Sequence, residues 1–138
     1  MIVDTSALLA ILFRESDAER YEAAILAAQP CRMSVANVLE TSIVIESRGG
    51  AEAGRELDAY LESARIETAP VTTDQLDAAR NAWRRFGKGR HPAALNFGDC
   101  FAYALAQVTG EPLLYKGGDF ARTEIAAAVP RHTAPGAK

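Results

Sequence analysis

Two hydrophobic patterns alternate along the chain. Short apolar runs at Ile2-Val3, Cys31-Arg32-Met33-Ser34, Ile66 to Val71 and Pro112-Leu113-Leu114-Tyr115 read as strands. Between them lie longer stretches with apolar residues at helical spacing. The first spans Ala7 to Phe13. The second opens at Ser16-Asp17-Ala18-Glu19, whose S-x-x-E spacing predicts a capping box, and runs to about Ala28 before Pro30 ends it. A third covers Val35 to Ser47. Gly49-Gly50 then predicts a break, and a fourth helix runs from about Ala51 to Ala64. Thr72 or Thr73 caps a fifth through Trp83 and Phe86, followed by a loop over Gly87-Lys88-Gly89-Arg90-His91-Pro92. The last long helix carries Asp99 and reaches about Thr109, where Gly110 suits a left-handed C-cap. Gly117-Gly118 predicts a turn, and Ala126 to Val129 a final short element.

Short apolar strands separated by longer helices predict an α/β domain: a mainly parallel central sheet of four or five strands with helices on both faces. One domain is expected over residues 1–132, with 133–138 as a loose C-terminal tail. In such folds ligands gather at the carboxyl ends of the strands, near the point where strand order reverses.

Composition narrows the class. With 49% hydrophobic and 24% charged residues, the chain has the balance of a folded protein, not a disordered one. A net charge of −3 gives no global attraction to nucleic acid, so any such contact must be local. Cys31 and Cys100 each sit inside apolar runs and read as buried, reduced thiols. No apolar run is long enough to span a membrane, and the start, Met1-Ile2-Val3-Asp4, lacks the basic stretch of a signal peptide. The expected location is cytoplasmic.

Four acids stand in surroundings that do not favour charge. Asp4 directly follows the first strand, where an N-cap role is the plain alternative. Glu40 lies mid-helix, with Ala36, Ile43 and Val44 at helical spacing, an apolar face on which an ionised Glu is costly. Asp99 opens an apolar helix; Asn96-x-x-Asp99 also has the form of a capping box, while Ala102, Tyr103 and Ala106 turn its face inward. Asp119 follows the last strand and two glycines, where a turn or N-cap would also use an aspartate. The topology sends the acids to one edge. Two carboxylates 4 Å apart repel by roughly 4 kcal/mol at an effective dielectric near 20, so the cluster calls for protons or cations. All-oxygen ligands favour Mg²⁺, with Mn²⁺ possible, as one or two ions able to activate water for phosphodiester hydrolysis.

The segments Met1-Ile2-Val3-Asp4-Thr5-Ser6-Ala7-Leu8, Val38-Leu39-Glu40, Phe97-Gly98-Asp99-Cys100-Phe101-Ala102-Tyr103-Ala104-Leu105-Ala106 and Leu113-Leu114-Tyr115-Lys116-Gly117-Gly118-Asp119-Phe120 together resemble the PIN-domain ribonucleases, and most closely the VapC-type toxins of type II toxin–antitoxin pairs. The resemblance implies a three-layer α/β/α PIN-like domain and a metal-dependent endoribonuclease, a hydrolase of ester bonds. It makes Asp4 and Asp99 the principal Mg²⁺ ligands, has Glu40 complete the site directly or through water, and has Asp119 hold a second ion or outer water. Ser6 matches a polar position that orients water or the substrate phosphate. It also implies a homodimer and a cognate antitoxin that blocks the pocket.

A basic stretch, Arg84, Arg85, Lys88, Arg90 and His91, precedes the Asp99 motif and is a candidate for RNA phosphates, although basic residues also suit a helix C-terminus. Lys116 either neutralises the acids or touches a phosphate. Two other readings compete: a non-catalytic PIN-like module that binds RNA or a partner, and a phosphorylatable receiver domain. The receiver needs an acceptor Asp ending the third strand, where this chain has Pro70-Val71-Thr72-Thr73.

Overall fold

The computed structural model describes residues 1–130. The proposed tail, 133–138, lies outside the described residues. The element order is β1 (Ile2–Val3), α1 (Thr5–Leu12), α2 (Ala18–Ala27), β2 (Cys31–Ser34), α3 (Val35–Ser63), β3 (Ile66–Ala69), α4 (Thr73–Phe86), α5 (Phe97–Thr109) and β4 (Leu113–Leu114), followed by a 3-10 turn at Phe120–Arg122.

The strands form a parallel sheet in the order β3-β2-β1-β4. The chain steps outward from β1 to β3, then returns to pair β4 on the other side of β1. That reversal makes the carboxyl end of β1 the switch point of the sheet. Ala126 to Val129 contributes one parallel bridge, Leu113 to Ala127, and no further strand among the described residues.

Alternation along the strands divides the core. Val3, Met33 and Leu114 point to one face and pack with Leu8, Tyr21, Ile25 and Leu57 from α1, α2 and α3. Ile2, Leu113 and Tyr115 point to the other and pack with Phe86, Tyr103 and Leu105 from α4 and α5. This is a three-layer α/β/α arrangement, as expected from the pattern of short strands and long helices. Cys31 and Cys100 are both buried and unpaired with each other.

Three local expectations fare differently. The Ser16–Glu19 capping box does not form. Asp17 holds the cap position in helical conformation, reached through a turn in which Ala18 N–H donates to Glu15 C=O, and makes no side-chain cap bond. The break expected at Gly49-Gly50 is present: two helical segments of α3 meet at a kink at Gly50, whose φ of 68° and ψ of −166° suit glycine alone. Third, the face of α3 that carries Glu40 is not the buried one. The buried positions are Asn37, Thr41, Ile45 and Leu57, whereas Ile43 is 58% exposed and Glu40 sits at the rim. The core side of α3 is polar at its start because it meets the N-terminus of α5 there, not the apolar sheet.

Candidate metal centre at the carboxyl edge

Each acid reaches the site through an identifiable local device. Asp4 ends β1 and caps α1: its Oδ2 accepts from Ser6 N–H at 2.9 Å and from the Ser6 hydroxyl at 2.6 Å. Its other oxygen, Oδ1, is buried and has no hydrogen-bond partner among the described residues. A buried carboxylate oxygen without a donor is costly, and proton or cation binding is the ordinary remedy. Burial, chiefly, with a contribution from the Glu40 charge, pushes Asp4 up from 3.8 to about 6, against the two Ser6 bonds that pull it down.

Asp99 is in the first turn of α5, in a complete capping box with Asn96. Its Oδ2 accepts from Asn96 N–H at 3.0 Å, leaving Oδ1 outside the cap. Partial burial raises Asp99 to about 7, opposed by the Asn96 bond and reinforced by the charges of Asp4, Asp119 and Glu40. All three of the other acids therefore act on Asp99 electrostatically, which locates the four on one edge of the sheet.

Glu40 stands on the second turn of α3, above the start of α5. Its Oε1 accepts from the Thr5 hydroxyl at 2.5 Å and from Asn37 Nδ2 at 3.3 Å. Its Oε2 lies over Gly98, so close that a Cβ at that glycine would fall 2.0 Å away. Asp119 is exposed, at the start of the Phe120–Arg122 turn, with no side-chain cap bond.

Among the described residues, no group of three or more His, Cys, Asp or Glu side chains stands converged as a ready-made cation cage. The fit of a hard divalent ion rests instead on the donor chemistry, all carboxylate oxygen, and on the orphaned Asp4 Oδ1. On both counts the residues suit a hard divalent ion, with Asp4 buried, Asp99 and Glu40 partly buried and Asp119 exposed.

The remaining candidates are placed as follows. The Ser6 hydroxyl donates to Asp4 and accepts Lys116 N–H at 2.9 Å, tying the end of β4 to the end of β1. The Lys116 ammonium turns away from the four acids and pairs with Glu15 at 2.8 Å and Asp17 at 3.4 Å. Arg85 pairs with Glu124 at 3.0 Å, and Arg90 stacks 4.1 Å from the ring centroid of Trp83, which is half exposed and not part of the core. Arg84 and Lys88 are exposed. The loop that bears Lys88 abuts the start of α5, because Lys88 N–H donates to Leu95 C=O.

Thr5, Asn37 and Gly98 are site residues that the reading of acids alone passes over. The available signal was Asn37 itself, an amide one turn before Glu40, at a helix position that a core-facing pattern would fill with an apolar residue.

The fold is a parallel α/β domain with Asp4, Asp99 and Glu40 beside the carboxyl end of β1 and Asp119 after β4. The comparisons give the family. The PIN domain model matches residues 1–126, and the chain belongs to the PIN-domain family. It is 59% identical over 128 residues to Ribonuclease VapC of Mycolicibacterium smegmatis, covering 92% of this chain and 98% of that one. It is 56% identical over 126 residues to Ribonuclease VapC30 of Mycobacterium tuberculosis, covering 91% and 96%. In fold it matches the crystal structure of Mycobacterium tuberculosis VapC20, a Sarcin-Ricin loop cleaving toxin, with a TM-score of 0.72 at 20% identity over 91% of this chain and 95% of that one.

Proposed function

We propose that this chain is an endoribonuclease of the VapC type, the toxin of a toxin–antitoxin pair, and that it hydrolyses RNA phosphodiester bonds with Mg²⁺ or Mn²⁺ held by the acidic cluster. Curated relatives that cover nearly the whole chain are named VapC ribonucleases, which supports the activity. The observation that carries the metal is the buried Asp4 Oδ1, which has no hydrogen-bond partner among the described residues, in a carboxylate that interacts with Glu40 and Asp99.

In this reading Asp4 and Asp99 are the main ligands, and Glu40 and Asp119 complete the site directly or through water. A bound divalent ion would supply an acidified water and offset charge on the leaving oxygen. The chain's own work is positioning. Ser6 holds Asp4 Oδ2 so that Oδ1 faces the pocket, and the Asn96 cap does the same for Asp99. Arg84 and Lys88, next to the start of α5, are placed to meet RNA phosphates, with Arg90 on Trp83 as a stacking platform for an unpaired base.

The protein partners follow from the same reading: a cognate antitoxin, and a second copy of the chain in a homodimer. Val35, Leu39 and Ile43, spaced four residues apart on one side of α3, are 46%, 61% and 58% exposed, an apolar stripe suited to such a contact. Among the described residues no helix is long and apolar enough to cross a membrane. The deciding experiment is incubation of the purified protein with total cellular RNA, with Mg²⁺, with Mn²⁺ and with EDTA, followed by mapping of the cut ends. Cutting that EDTA does not suppress would overturn the metal assignment, and no cutting under any condition would favour the non-catalytic module.

A further inference from the structure

We propose that Asn37 is a positioning residue that fixes the orientation of the Glu40 carboxylate, so that one oxygen is held by donors and the other is left for the acidic cluster, with Gly98 providing the space that this second oxygen needs. The inference rests on the metal-dependent reading above and assigns roles to two residues that carry no charge.

Asn37 is completely buried, in the first turn of α3, where its side chain can be neither solvated nor replaced by water. Its Nδ2 donates to Gly98 C=O at 2.9 Å and to Glu40 Oε1 at 3.3 Å. Both partners are acceptors, so only one orientation of the amide works; the flipped form would press Oδ1 against two oxygens. The cost of this orientation is visible, because Asn37 Oδ1 has no hydrogen-bond partner among the described residues. An amide kept in a dry interior with one end unsatisfied is better explained by what its other end holds than by packing, for which leucine or alanine would serve.

What it holds is a joint between two helices. Asn37 ties the carbonyl one residue before Asp99 to the glutamate of α3, and Thr5 ties the same glutamate to the residue after Asp4. Thr5 Oγ1 donates to Glu40 Oε1 at 2.5 Å and lies 3.3 Å from Asn37 C=O. Two donors converge on Oε1 and, among the described residues, none on Oε2. Oε2 is thereby left as the unused acceptor, resting over the bare Cα of Gly98. A side chain at 98 would occupy that place. Gly98 is in ordinary helical conformation, so its need for glycine is the clearance and not the backbone.

The test is a double-mutant cycle read by Mn²⁺ affinity, measured by electron paramagnetic resonance on the metal-free protein, with RNA cleavage and thermal melting in parallel. Asn37→Ala is expected to weaken Mn²⁺ binding about ten- to a hundred-fold, the usual consequence of losing a group that orients a ligand. The loss should appear in kcat more than in KM for RNA. In a Glu40→Ala background the same substitution should change Mn²⁺ affinity less than about two-fold, since the group through which it acts is gone.

Gly98→Ala provides a second arm that leaves the buried amide intact. It should mimic Asn37→Ala when Glu40 is present and have no effect on Mn²⁺ affinity when Glu40 is alanine, while folding normally, because the clashing atoms belong to the flexible head of Glu40. This arm decides the matter if Asn37→Ala does not fold. Equal effects in both Glu40 backgrounds, or unchanged Mn²⁺ affinity in folded Asn37→Ala or Gly98→Ala, would overturn the inference. The underlying reading is tested separately by Asp4→Asn and Asp99→Asn: if neither alters Mn²⁺ binding, the metal assignment fails, whatever Asn37 does.

Discussion

Asn96 and Asp99 bond to each other twice at the mouth of α5, Asn96 Oδ1 accepting Asp99 N–H at 2.9 Å and Asp99 Oδ2 accepting Asn96 N–H at 3.0 Å. Capping therefore occupies one oxygen of this carboxylate and leaves the other for the proposed ligation. Asparagine at 99 keeps an acceptor for the cap but loses the charge that three neighbouring acids oppose. Asp99→Asn should abolish metal-dependent cleavage, and the metal-free variant should melt no lower than the parent at pH 8. Asn96→Ala is the control for the cap and should cost about 1 kcal/mol by denaturant unfolding. A clear fall in stability for Asp99→Asn would assign that residue to the cap and not to the pocket.

The raised values of Asp4, about 6, and Asp99, about 7, also set a pH dependence. Both groups bind a proton more tightly in the folded chain than at the ordinary 3.8. Their contribution to stability is thus fully present below pH 4 and is lost as pH rises through 6 to 7. For Asp4 alone the loss amounts to roughly 3 kcal/mol by pH 8. Glu111 and Glu124 shift the opposite way, held down by the N-terminal ammonium and Arg32 and by Tyr103 and Arg85, so raw melting curves mix the two trends. The informative quantity is the Tm difference between the parent and Asp4→Asn in EDTA. The variant should lead at pH 8 and the gap should close by pH 4.

Divalent ions should reverse that penalty. Binding to the folded chain alone stabilises it by about 2.7 kcal/mol at a free concentration a hundred times Kd. Because protons compete for the same carboxylates, the Tm increase on adding Mg²⁺ or Mn²⁺ should be large at pH 8 and small at pH 5. Differential scanning calorimetry at both pH values checks this. An equal increase at the two would place the ions somewhere other than at Asp4 and Asp99.

How much of this was legible in the chain depends on the kind of signal. Asp4 and Asp99 could be placed because each abuts an element whose direction the strand–helix alternation dictates, so the parallel order sends both to one edge. The Asn96 box and the Gly110 C-cap, with φ of 70°, could be read because they depend on near neighbours. Glu40 was placed correctly at the edge but for the wrong reason: its own face of α3 is a rim, and the buried face holds Asn37 and Thr41. Periodicity reports apolar stripes, and it cannot tell a stripe that packs on the sheet from one left at the surface. The turn of Lys116 toward Glu15 and Asp17 depends on α2 meeting the β4 turn, a contact between residues far apart in sequence. The Ser16 box failed because Asp17 already has helical backbone and is drawn toward Lys116.

The basic stretch separates into residues with partners and residues without a rigid tie, and this gives a prediction about RNA. Arg85 is paired with Glu124, which also accepts from Tyr103 OH, so its guanidinium serves the α4–α5 layer. Exposed pairs of this kind contribute between about 0 and 1 kcal/mol, and Arg85→Ala should lower stability by no more than that, with little change in KM. Arg84 and Lys88 are exposed, and Lys88 is held beside the start of α5 by its backbone bond to Leu95. If they contact phosphates, Arg84→Ala and Lys88→Ala should each raise KM for RNA while leaving kcat and Tm near the parent values. Each should also reduce the slope of log affinity against log salt by about 0.7, the single-strand value for one phosphate contact. Binding of a fluorescent RNA to the non-cleaving Asp99→Asn variant across a salt series measures that slope without turnover. An unchanged slope in both substitutions would confine Arg84 and Lys88 to the solvated end of α4 and move the search for the RNA path to another surface.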